Sequence, residues 1–500
     1  MIQTPHRLLQ QSLFVFLLGV CTLVLISHGT HAHYDEWAAA KIYPSLALSH
    51  GVDLFQQDEG PYILTIYGPA SALFYLPVSL GSSPKECLWI AYGLNLIVLT
   101  GCFYFLFYKG RTKKRFSPKL FLGFGLVFLL VNNKTTHSLF QIHHDLPIFA
   151  YLLIGSFFIL GKFPVNPNYR LWLGNFFLWM AFWTKIVALP WLLLPFLQIL
   201  FTRKYSFKLL VNALLALTGT GFISLILFAS FFGASDLWFH LFESTNSYPW
   251  RTCNSLFGEG EEALLAHNLY SKAVILLRIM LLYGVEYWWL LIACGLIGKY
   301  NHKNKDGRVL FWLVMCYYLA LPTCLSALAK FGGVDNSLVL AHAPAFAALF
   351  LQTAKLIDKM VLSQLAKLGI SFLIAIIPAI AGIRVAKAIL KNPSDSPLQL
   401  AYEHLLKNPI QPVFFALAPL PNYLASGKIW SSGEALTYAT MMSQDSLPQN
   451  AGLDFMQNTN LIAFGNPPYS RSYFDRKLNL TKIVSPEGLE DWNVYEANRK

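Results

Sequence analysis

The chain has 500 residues, of which 55% are hydrophobic and only 13% charged. Soluble domains carry roughly a quarter charged residues, so a protein with a mostly water-facing surface is excluded. The formal net charge of +12 comes from basic residues in short gaps between apolar runs, as in membrane-protein loops, and nucleic-acid binding is not expected. The seven cysteines are scattered and predict neither a disulfide framework nor a zinc site.

Apolar runs recur from the N-terminus to about residue 386, and a helix needs about 20 apolar residues to cross a bilayer. The sequence therefore predicts an all-α polytopic membrane protein. The first run is interpreted as a retained helix rather than a cleaved signal peptide. The two runs between Leu171 and Leu200 are also compatible with one long helix kinked near Pro190. About eleven transmembrane helices are predicted, at residues 12–28, 86–108, 120–133, 146–161, 170–184, 187–201, 209–232, 273–297, 309–328, 338–353 and 368–386.

The distribution of basic residues predicts the orientation of these helices. If the chain crosses at each span, nineteen of the loop lysines and arginines lie on the side of the N-terminus. The opposite loops hold seven, in much longer stretches, and nearly all the loop carboxylates. Basic loop residues mark the cytoplasmic face, so we expect a cytoplasmic N-terminus.

Two loops on the opposite side, 29–85 and 233–272, are too long to be simple connections. An odd number of crossings sends the tail to the same side. We therefore predict a multi-spanning module over residues 1–386 and a small α/β extracytoplasmic domain over residues 387–500, whose short apolar runs are broken by Pro, Gly and Asn.

The residues directly after the first span are the first candidates for chemistry. Asp35 and Glu36 are adjacent carboxylates at a membrane exit, which is unfavourable near lipid unless they are solvated or used. A solvated helix start, where acids favour the N-terminal dipole, explains them equally well. Further along, Tyr67 opens a Tyr-Gly-Pro stretch suited to a segment lying at the interface, where simple packing is the alternative.

A second candidate group is His143, His144 and Asp145 at the outer end of the fourth span. Imidazoles beside a carboxylate can bind a divalent metal, hold a phosphate or move a proton. Adjacent residues on a helix point about 100° apart, so all three cannot converge without irregular backbone. Asp145 is the one retained as the strongest candidate.

Two cationic positions complete the candidates. Lys185, after Thr184, either extends to the headgroups or meets an anion in a membrane-level cavity. Arg251, in the second long loop, is a similar anion-binding candidate. The segment 331–337 is polar enough to line a site, although a connecting turn explains it almost as well.

These features together resemble the GT-C superfamily of membrane glycosyltransferases, especially the protein O-mannosyltransferases and lipid A aminoarabinose transferases of glycosyltransferase family 39. The resemblance covers roughly residues 10–385. It lies in the cytoplasmic N-terminus, the Asp-Glu pair opening a long external loop, the Tyr-Gly-Pro stretch, the second-loop acid and the Thr-Lys pair. It implies a protein of the bacterial cytoplasmic membrane.

The resemblance also implies an activity. A hexosyl or pentosyl group would move from a polyprenyl-phosphate donor to an unidentified lipid, glycan or protein acceptor, with inversion at the anomeric carbon. By position, Asp35 would be the catalytic base with Glu36 beside it, and Asp145 would orient the acceptor or help hold a metal. Lys185, Arg251 and His144 would meet the phosphate, with His143 and Tyr67 at the same site. A divalent metal held by Asp35 and Asp145 stays open.

Three other functions are alternatives. A transporter or flippase of lipid-linked sugars is disfavoured, because transporters place ionisable residues near the membrane midplane and often have two repeated halves, whereas here the acids cluster in the external loops and no internal repeat is seen. A surface-polysaccharide polymerase or ligase would have a short first loop and a second one dominated by Arg and His, whereas this first loop is long and acidic. An adhesion or assembly protein that acts through its tail remains an alternative.

Overall fold

The computed structural model describes residues 5–32, 36–55, 61–63, 67–104, 106, 118–161, 165–201, 207–243, 246, 250–251, 265–266, 268–302, 307–330, 335–390, 396–442, 451–465, 468 and 471–500. The helices of this part are α1 Pro5–Ala32, α2 Glu36–Ser49, α3 Pro69–Phe74, α4 Pro84–Phe103, α5 Pro118–Asn132, α6 Asp145–Ile159, α7 Pro167–Phe182, α8 Leu194–Phe201, α9 Phe207–Phe232, α10 Ala234–Trp238, α11 Leu269–Asn301, α12 Arg308–Ala329, α13 Val339–Lys359, α14 Gln364–Leu390, α15 Pro397–Lys407, α16 Leu420–Ser426, α17 Gly433–Met442 and α18 Arg471–Lys477. Short 3-10 helices span Leu76–Leu80, His137–Phe140, Ile186–Leu193, Asp335–Leu338 and Asp454–Gln457, and a π-helical turn spans Phe239–Glu243.

The predicted polytopic helical architecture is confirmed. Within the described residues, seven helices are long and apolar enough to cross a membrane: Leu8–Thr30, Pro84–Phe103, Phe207–Phe232, Leu269–Asn301, Arg308–Ala329, Asn336–Lys359 and Gln364–Arg384. The other four predicted spans also fall on helices, but each is 16 residues long or shorter. Such short helices traverse the hydrocarbon layer only in part.

The segment between Leu171 and Leu200 is two helical stretches rather than one kinked helix. The chain leaves the helix at Trp183–Lys185 and resumes as a 3-10 helix that contains Pro190. The break is stabilised from outside, because the amides of Gly68 and Ala70 donate to the carbonyls of Thr184 and Trp183, at 3.0 and 3.2 Å. These are carbonyls that a continuous helix would have used internally.

Local sequence explains where many helices begin. Proline is the first residue of α3, α4, α5, α7 and α15, a position where its missing N–H and fixed φ fit the helix. At α4 the start is reinforced by side-chain hydrogen bonds around the N-cap residue Ser83. Ser83 accepts from the amide of Glu86 at 3.3 Å, and the Glu86 carboxylate accepts from the amide of Ser82 at 2.8 Å.

The C-terminal part forms a small sheet covered by helices, as expected for an α/β unit. The strands are β3 Val413–Phe415, β4 Leu461–Phe464, β5 Leu478–Lys482 and β6 Asn493–Arg499, and their order in the sheet is β3-β4-β6-β5. Strands β3 and β4 are parallel and the other pairs antiparallel. Two further two-residue strands, β1 Trp250–Arg251 and β2 Leu265–Ala266, pair antiparallel in the second long loop. The domain boundary at 386/387 stays a prediction.

Two large apolar cores position the site. The first lies among α1, α5, α6 and α11–α14. The second joins α2, α3 and α4 to the C-terminal elements α15, α16, β3 and β4. The chain passes from the second core to the first at several points, two of which lie between Ile142 and Leu146 and between Trp183 and Val187. Both passages carry predicted site residues.

Candidate active site

Asp145 is the centre of the candidate site. It is the first residue of α6, where the helix dipole favours a carboxylate, and its side chain is only 2% exposed. Two basic side chains contact its two oxygens, with His143 Nδ1 at 2.9 Å and Lys185 Nζ at 3.4 Å. A carboxylate buried this deeply requires such partners.

The imidazole of His143 connects Asp145 to a distant segment. Asn336 Nδ2 lies 3.2 Å from His143 Nε2, while Asp145 occupies the Nδ1 side. The backbone amide of Asp145 donates to His143 Nδ1 at 3.3 Å, so the ring contacts Asn336 on one side and Asp145 on the other. The loop 331–337 therefore contributes Asn336 to the site. Residues 331–334 and the Asp335 side chain lie outside the described part.

The ring of His144 contacts Tyr67, whereas the ring of His143 contacts Asp145. The buried His144 ring packs on Tyr67, with ring centroids 3.9 Å apart and planes 34° apart. Burial, together with the nearby charges of Lys41, His143 and Lys185, lowers the pKa of His144 well below its ordinary value. His144 is therefore neutral and shapes the site through its ring rather than through a positive charge.

Lys185 is held in place by the break between α7 and the next 3-10 helix. Its backbone is extended, with φ −160° and ψ 128°, and Gly68 and Ala70 hydrogen-bond to the two preceding carbonyls. The two chains approach so closely that a Cβ at Gly68 would overlap the carbonyl oxygen of Trp183. The Tyr-Gly-Pro stretch thus has a structural requirement for glycine that its sequence alone did not reveal.

Lys41 is a site residue that sequence reasoning did not identify. It is 3% exposed on α2, pairs with Glu434 of α17, and lies 4.9 Å from the ring centroid of Tyr67. Lys185 lies 5.6 Å from the same ring. In the sequence, the spacing of Trp37 and Lys41, one helical turn apart, could have indicated that the two side chains lie on one face of a helix and contact each other. Glu434, 393 residues away along the chain, was not visible from the sequence.

Glu36 begins α2 and is half-buried. Its carboxylate lies against Gly465, where a Cβ would collide with it. The C-terminal part therefore touches α2 at both Glu36 and Lys41. Asp35, the predicted base, lies outside the described residues.

A further lysine adjoins the second long loop. Lys330 follows α12, and its backbone pairs antiparallel with Trp250, the neighbour of Arg251. Burial and the nearby charges of Lys272 and Lys185 lower the pKa of Lys330 to about 8. The Arg251 backbone belongs to β1, but its side chain lies outside the description.

The described residues contain no group of three or more His, Cys, Asp or Glu arranged to hold a metal ion. Asp145 is already engaged by one imidazole and one ammonium group. The predicted metal pair of Asp35 and Asp145 includes a residue outside the description, so it stays a prediction.

No family model matches the chain, and no curated protein gives a match. Solved structures do align with the chain. A crystal structure of ArnT from Cupriavidus metallidurans bound to undecaprenyl phosphate aligns with a TM-score of 0.51 at 10% identity, over 96% of this chain and 97% of that one. The apo state of the same protein gives 0.51 at 11%, over 97% and 98%. This chain has the ArnT fold.

The alignment with ArnT covers nearly the whole length of both chains, so it includes the C-terminal sheet as well as the helical bundle. The membrane-protein fold expected from the sequence is therefore confirmed. At 10–11% identity the likeness to ArnT is one of fold. Chemistry must be argued from the residues of this chain.

Proposed function

We propose that this chain is a membrane glycosyltransferase that takes a sugar from a polyprenyl-phosphate donor. The observation that supports this most is a buried carboxylate flanked by basic side chains in an ArnT fold. Asp145 contacts Lys185 and His143, and both Lys185 and Lys41 lie near the ring of Tyr67. ArnT of Cupriavidus metallidurans was crystallised with undecaprenyl phosphate. Lipid phosphate is the ligand chemistry that a lysine-lined site at the membrane surface suits.

The lysines would act on the leaving group. When the bond between the anomeric carbon and the phosphate oxygen breaks, polyprenyl phosphate departs with the bonding electrons and gains negative charge. Preorganised cations near that oxygen stabilise the developing charge more than the ground state. We assign this task to Lys185 and Lys330; the charge of Lys185 is near enough to contribute to the lowered pKa of Lys330. Arg251, beside the backbone partner of Lys330, is a further candidate.

A carboxylate would act on the acceptor. In an inverting transfer the acceptor hydroxyl loses its proton to a base while its oxygen attacks the anomeric carbon from the face opposite the phosphate. Asp145 is occupied by His143 and Lys185, which favours a positioning role for it. Asp35, one residue before Glu36 and α2, remains our assignment for the base. If a divalent metal binds, it would supply further stabilisation of the phosphate charge.

The reaction would take place on the extracytoplasmic side of the cytoplasmic membrane, because the basic loops lie on the opposite side. Nucleotide sugars are available on the cytoplasmic side. On the opposite side, a sugar carried on a lipid phosphate would serve as the donor instead.

The test uses protein purified into nanodiscs and a panel of polyprenyl-phosphate sugars, with release of polyprenyl phosphate as the readout and slow hydrolysis counted as activity. Wild type should turn over at least one donor. Asp35→Asn should lose at least about 100-fold, within the usual range for removing a general base. Asp491→Asn, an exposed carboxylate of the C-terminal part, is the matched control and should keep full activity.

Donor binding without cleavage by wild type would contradict the transferase and favour the flippase. Full activity of Asp35→Asn would remove Asp35 as the base.

A further inference from the structure

A fully buried amide lies on the membrane-spanning helix α4. This residue, Asn95, comes about three helical turns after the first residue of the helix, Pro84. It shares the buried side of α4 with Leu88 and Tyr92, which stand one and two turns before it. A polar side chain inside a membrane-spanning helix is unfavourable unless it is hydrogen-bonded. The partners of Asn95 therefore indicate what it does.

The side-chain amide of Asn95 connects two segments that are far apart in the sequence. Its Nδ2 donates to the carbonyl oxygen of Gln141 at 2.8 Å, and its Oδ1 accepts from the hydroxyl of Tyr75 at 2.9 Å. Because a carbonyl can only accept, Gln141 fixes which end of the amide faces which partner. Tyr75 is also fully buried, and its hydroxyl lies 3.2 Å from the carbonyl oxygen of His143. Asn95 and Tyr75 together thus contact two carbonyls of one loop.

Both carbonyls belong to irregular backbone that leads into Asp145. Gln141 is extended, with φ −105° and ψ 166°. A continued helix would pair the His143 carbonyl with the amide of residue 147, but Pro147 has no N–H. It would pair the Gln141 carbonyl with the amide of Asp145, which donates to His143 Nδ1 instead. Inside a helical bundle such carbonyls need donors from other parts of the protein, and Asn95 and Tyr75 supply them.

This backbone carries side chains of the candidate site. The ring of His143 lies against Asp145 on its Nδ1 side and against Asn336 on its Nε2 side. Burial raises the pKa of the Tyr75 hydroxyl, and the negative charge of Asp145 acts in the same direction. Tyr75 is therefore neutral and serves as a hydrogen-bond donor close to the Asp145 carboxylate.

We propose that Asn95 is a positioning residue for the transfer reaction: with Tyr75 it holds the backbone of Gln141 and His143, and thereby keeps His143 against Asp145. The kinetic consequence rests on the proposed function, whereas the effect on His143 does not. Misplacement of a site group by about 1 Å can lower a rate about 100-fold. The donor phosphate is assigned to the lysines, so the loss should fall mainly on kcat and not on the KM for the donor.

The kinetic test compares Asn95→Leu, Tyr75→Phe and the double variant in nanodiscs, with kcat expressed per folded protein. Each single variant should lower kcat about tenfold or more and leave the KM for the donor within about twofold of wild type. The double variant should lose little more than Asn95→Leu alone, because both changes break the same connection. A purely structural role would lower thermal stability without this pattern in kcat.

Asn175→Leu is the matched control. Asn175 is also a fully buried amide of the helical bundle, but its Nδ2 donates to the Leu171 carbonyl of its own helix, α7. This variant should keep the wild-type kcat even where its thermal stability falls.

A second measurement does not require turnover. In protein labelled at the histidine nitrogens, the NMR signals of the His143 ring are assigned by their loss in His143→Gln. These signals should shift in Asn95→Leu and in Tyr75→Phe, and they should stay in place in Asn175→Leu.

An unchanged kcat in folded Asn95→Leu, losses of kcat that multiply in the double variant, or unmoved His143 signals would overturn the proposal. A wild-type protein without turnover would count against the transferase itself, and the His143 signals would still decide whether Asn95 positions the site.

Discussion

At the residue scale, the close approach of Gly68 to Trp183 determines where Lys185 lies. The Gly68 amide donates to the Thr184 carbonyl, and no space remains for a Cβ. Lys185 then reaches Asp145 from the break in the helix. The absence of a side chain at Gly68, in the first long loop, therefore allows the contact that positions the ammonium group of Lys185.

Replacing Gly68 by alanine should displace this contact. We expect destabilisation of about 1–3 kcal/mol, the usual range for overpacking, together with a loss of donor turnover as Lys185 moves. Gly93→Ala is the control, because nothing lies within 4 Å of a Cβ at that helical position, and it should be neutral or stabilise by up to about 1 kcal/mol. Thermal unfolding in detergent and donor turnover are the two measurements. Equal behaviour of the two variants would show that the contact does not position Lys185.

Lys330 should give donor binding a pH dependence near neutrality. Its pKa of about 8 lies below the ordinary value of a lysine, so raising the pH from 7 to 9 removes its charge. The charged groups that face it, Lys272 and Lys185, have the same sign and favour that loss. If the charge binds phosphate, the KM for the donor should rise up to about tenfold over this range, because one tenth of Lys330 stays protonated at pH 9.

The Lys330→Arg variant tests the assignment, since arginine keeps its charge throughout this range. Its KM should stay flat between pH 7 and 9, with the other parameters close to wild type. A KM that rises equally in the variant would assign the titration to another group.

At the scale of elements, the ion pair between Lys41 and Glu434 joins α2 to α17. Both side chains are buried, and removal of one partner leaves the other as an uncompensated charge. Glu434→Leu should therefore destabilise the protein by about 3–5 kcal/mol, whereas the double variant Lys41→Met with Glu434→Leu should recover most of that loss.

In the Lys41 and Glu434 variants, the effect on stability should differ from the effect on donor binding. The double variant regains an apolar contact but lacks the cation beside Tyr67, so we expect it to fold and yet bind the donor more weakly. Detergent unfolding and donor titration measure the two effects. A double variant no more stable than Glu434→Leu would show that the pair is not energetically coupled.

The same elements show how far the sequence could predict the structure. Apolar run length located the helices, because each span must cover the hydrocarbon layer by itself. Asp145 and Lys185 could also be selected as candidate site residues, since charges beside apolar runs require a reason. Lys41 was not recognised as a candidate, and the segment that holds Asn336 could not be distinguished from a connecting turn, because the contacts of these residues with Glu434 and His143 are not visible in the sequence. Such contacts join distant parts of the chain, and one sequence carries no record of them.

At the scale of the whole molecule, the candidate site lies where the two apolar cores meet. Residues 142–146 and 183–187 pass from one core to the other, and they carry Asp145 and Lys185. The second core includes the C-terminal sheet, which touches α2 beside Glu36 and Lys41. If the site faces away from the cytoplasm, the C-terminal sheet must lie on that side as well.

Cysteine accessibility tests this orientation. In a cysteine-free background, Thr481→Cys places a thiol on an exposed position of β5, and Ser363→Cys places one on the exposed connection between α13 and α14. The bias of basic residues predicts that a membrane-impermeant maleimide added to intact spheroplasts labels Thr481→Cys at once. Ser363→Cys should be labelled only after the membrane is permeabilised. The reverse pattern would place Asp145 and the lysines on the cytoplasmic side, where nucleotide sugars are available, and the need for a lipid-phosphate donor would no longer follow.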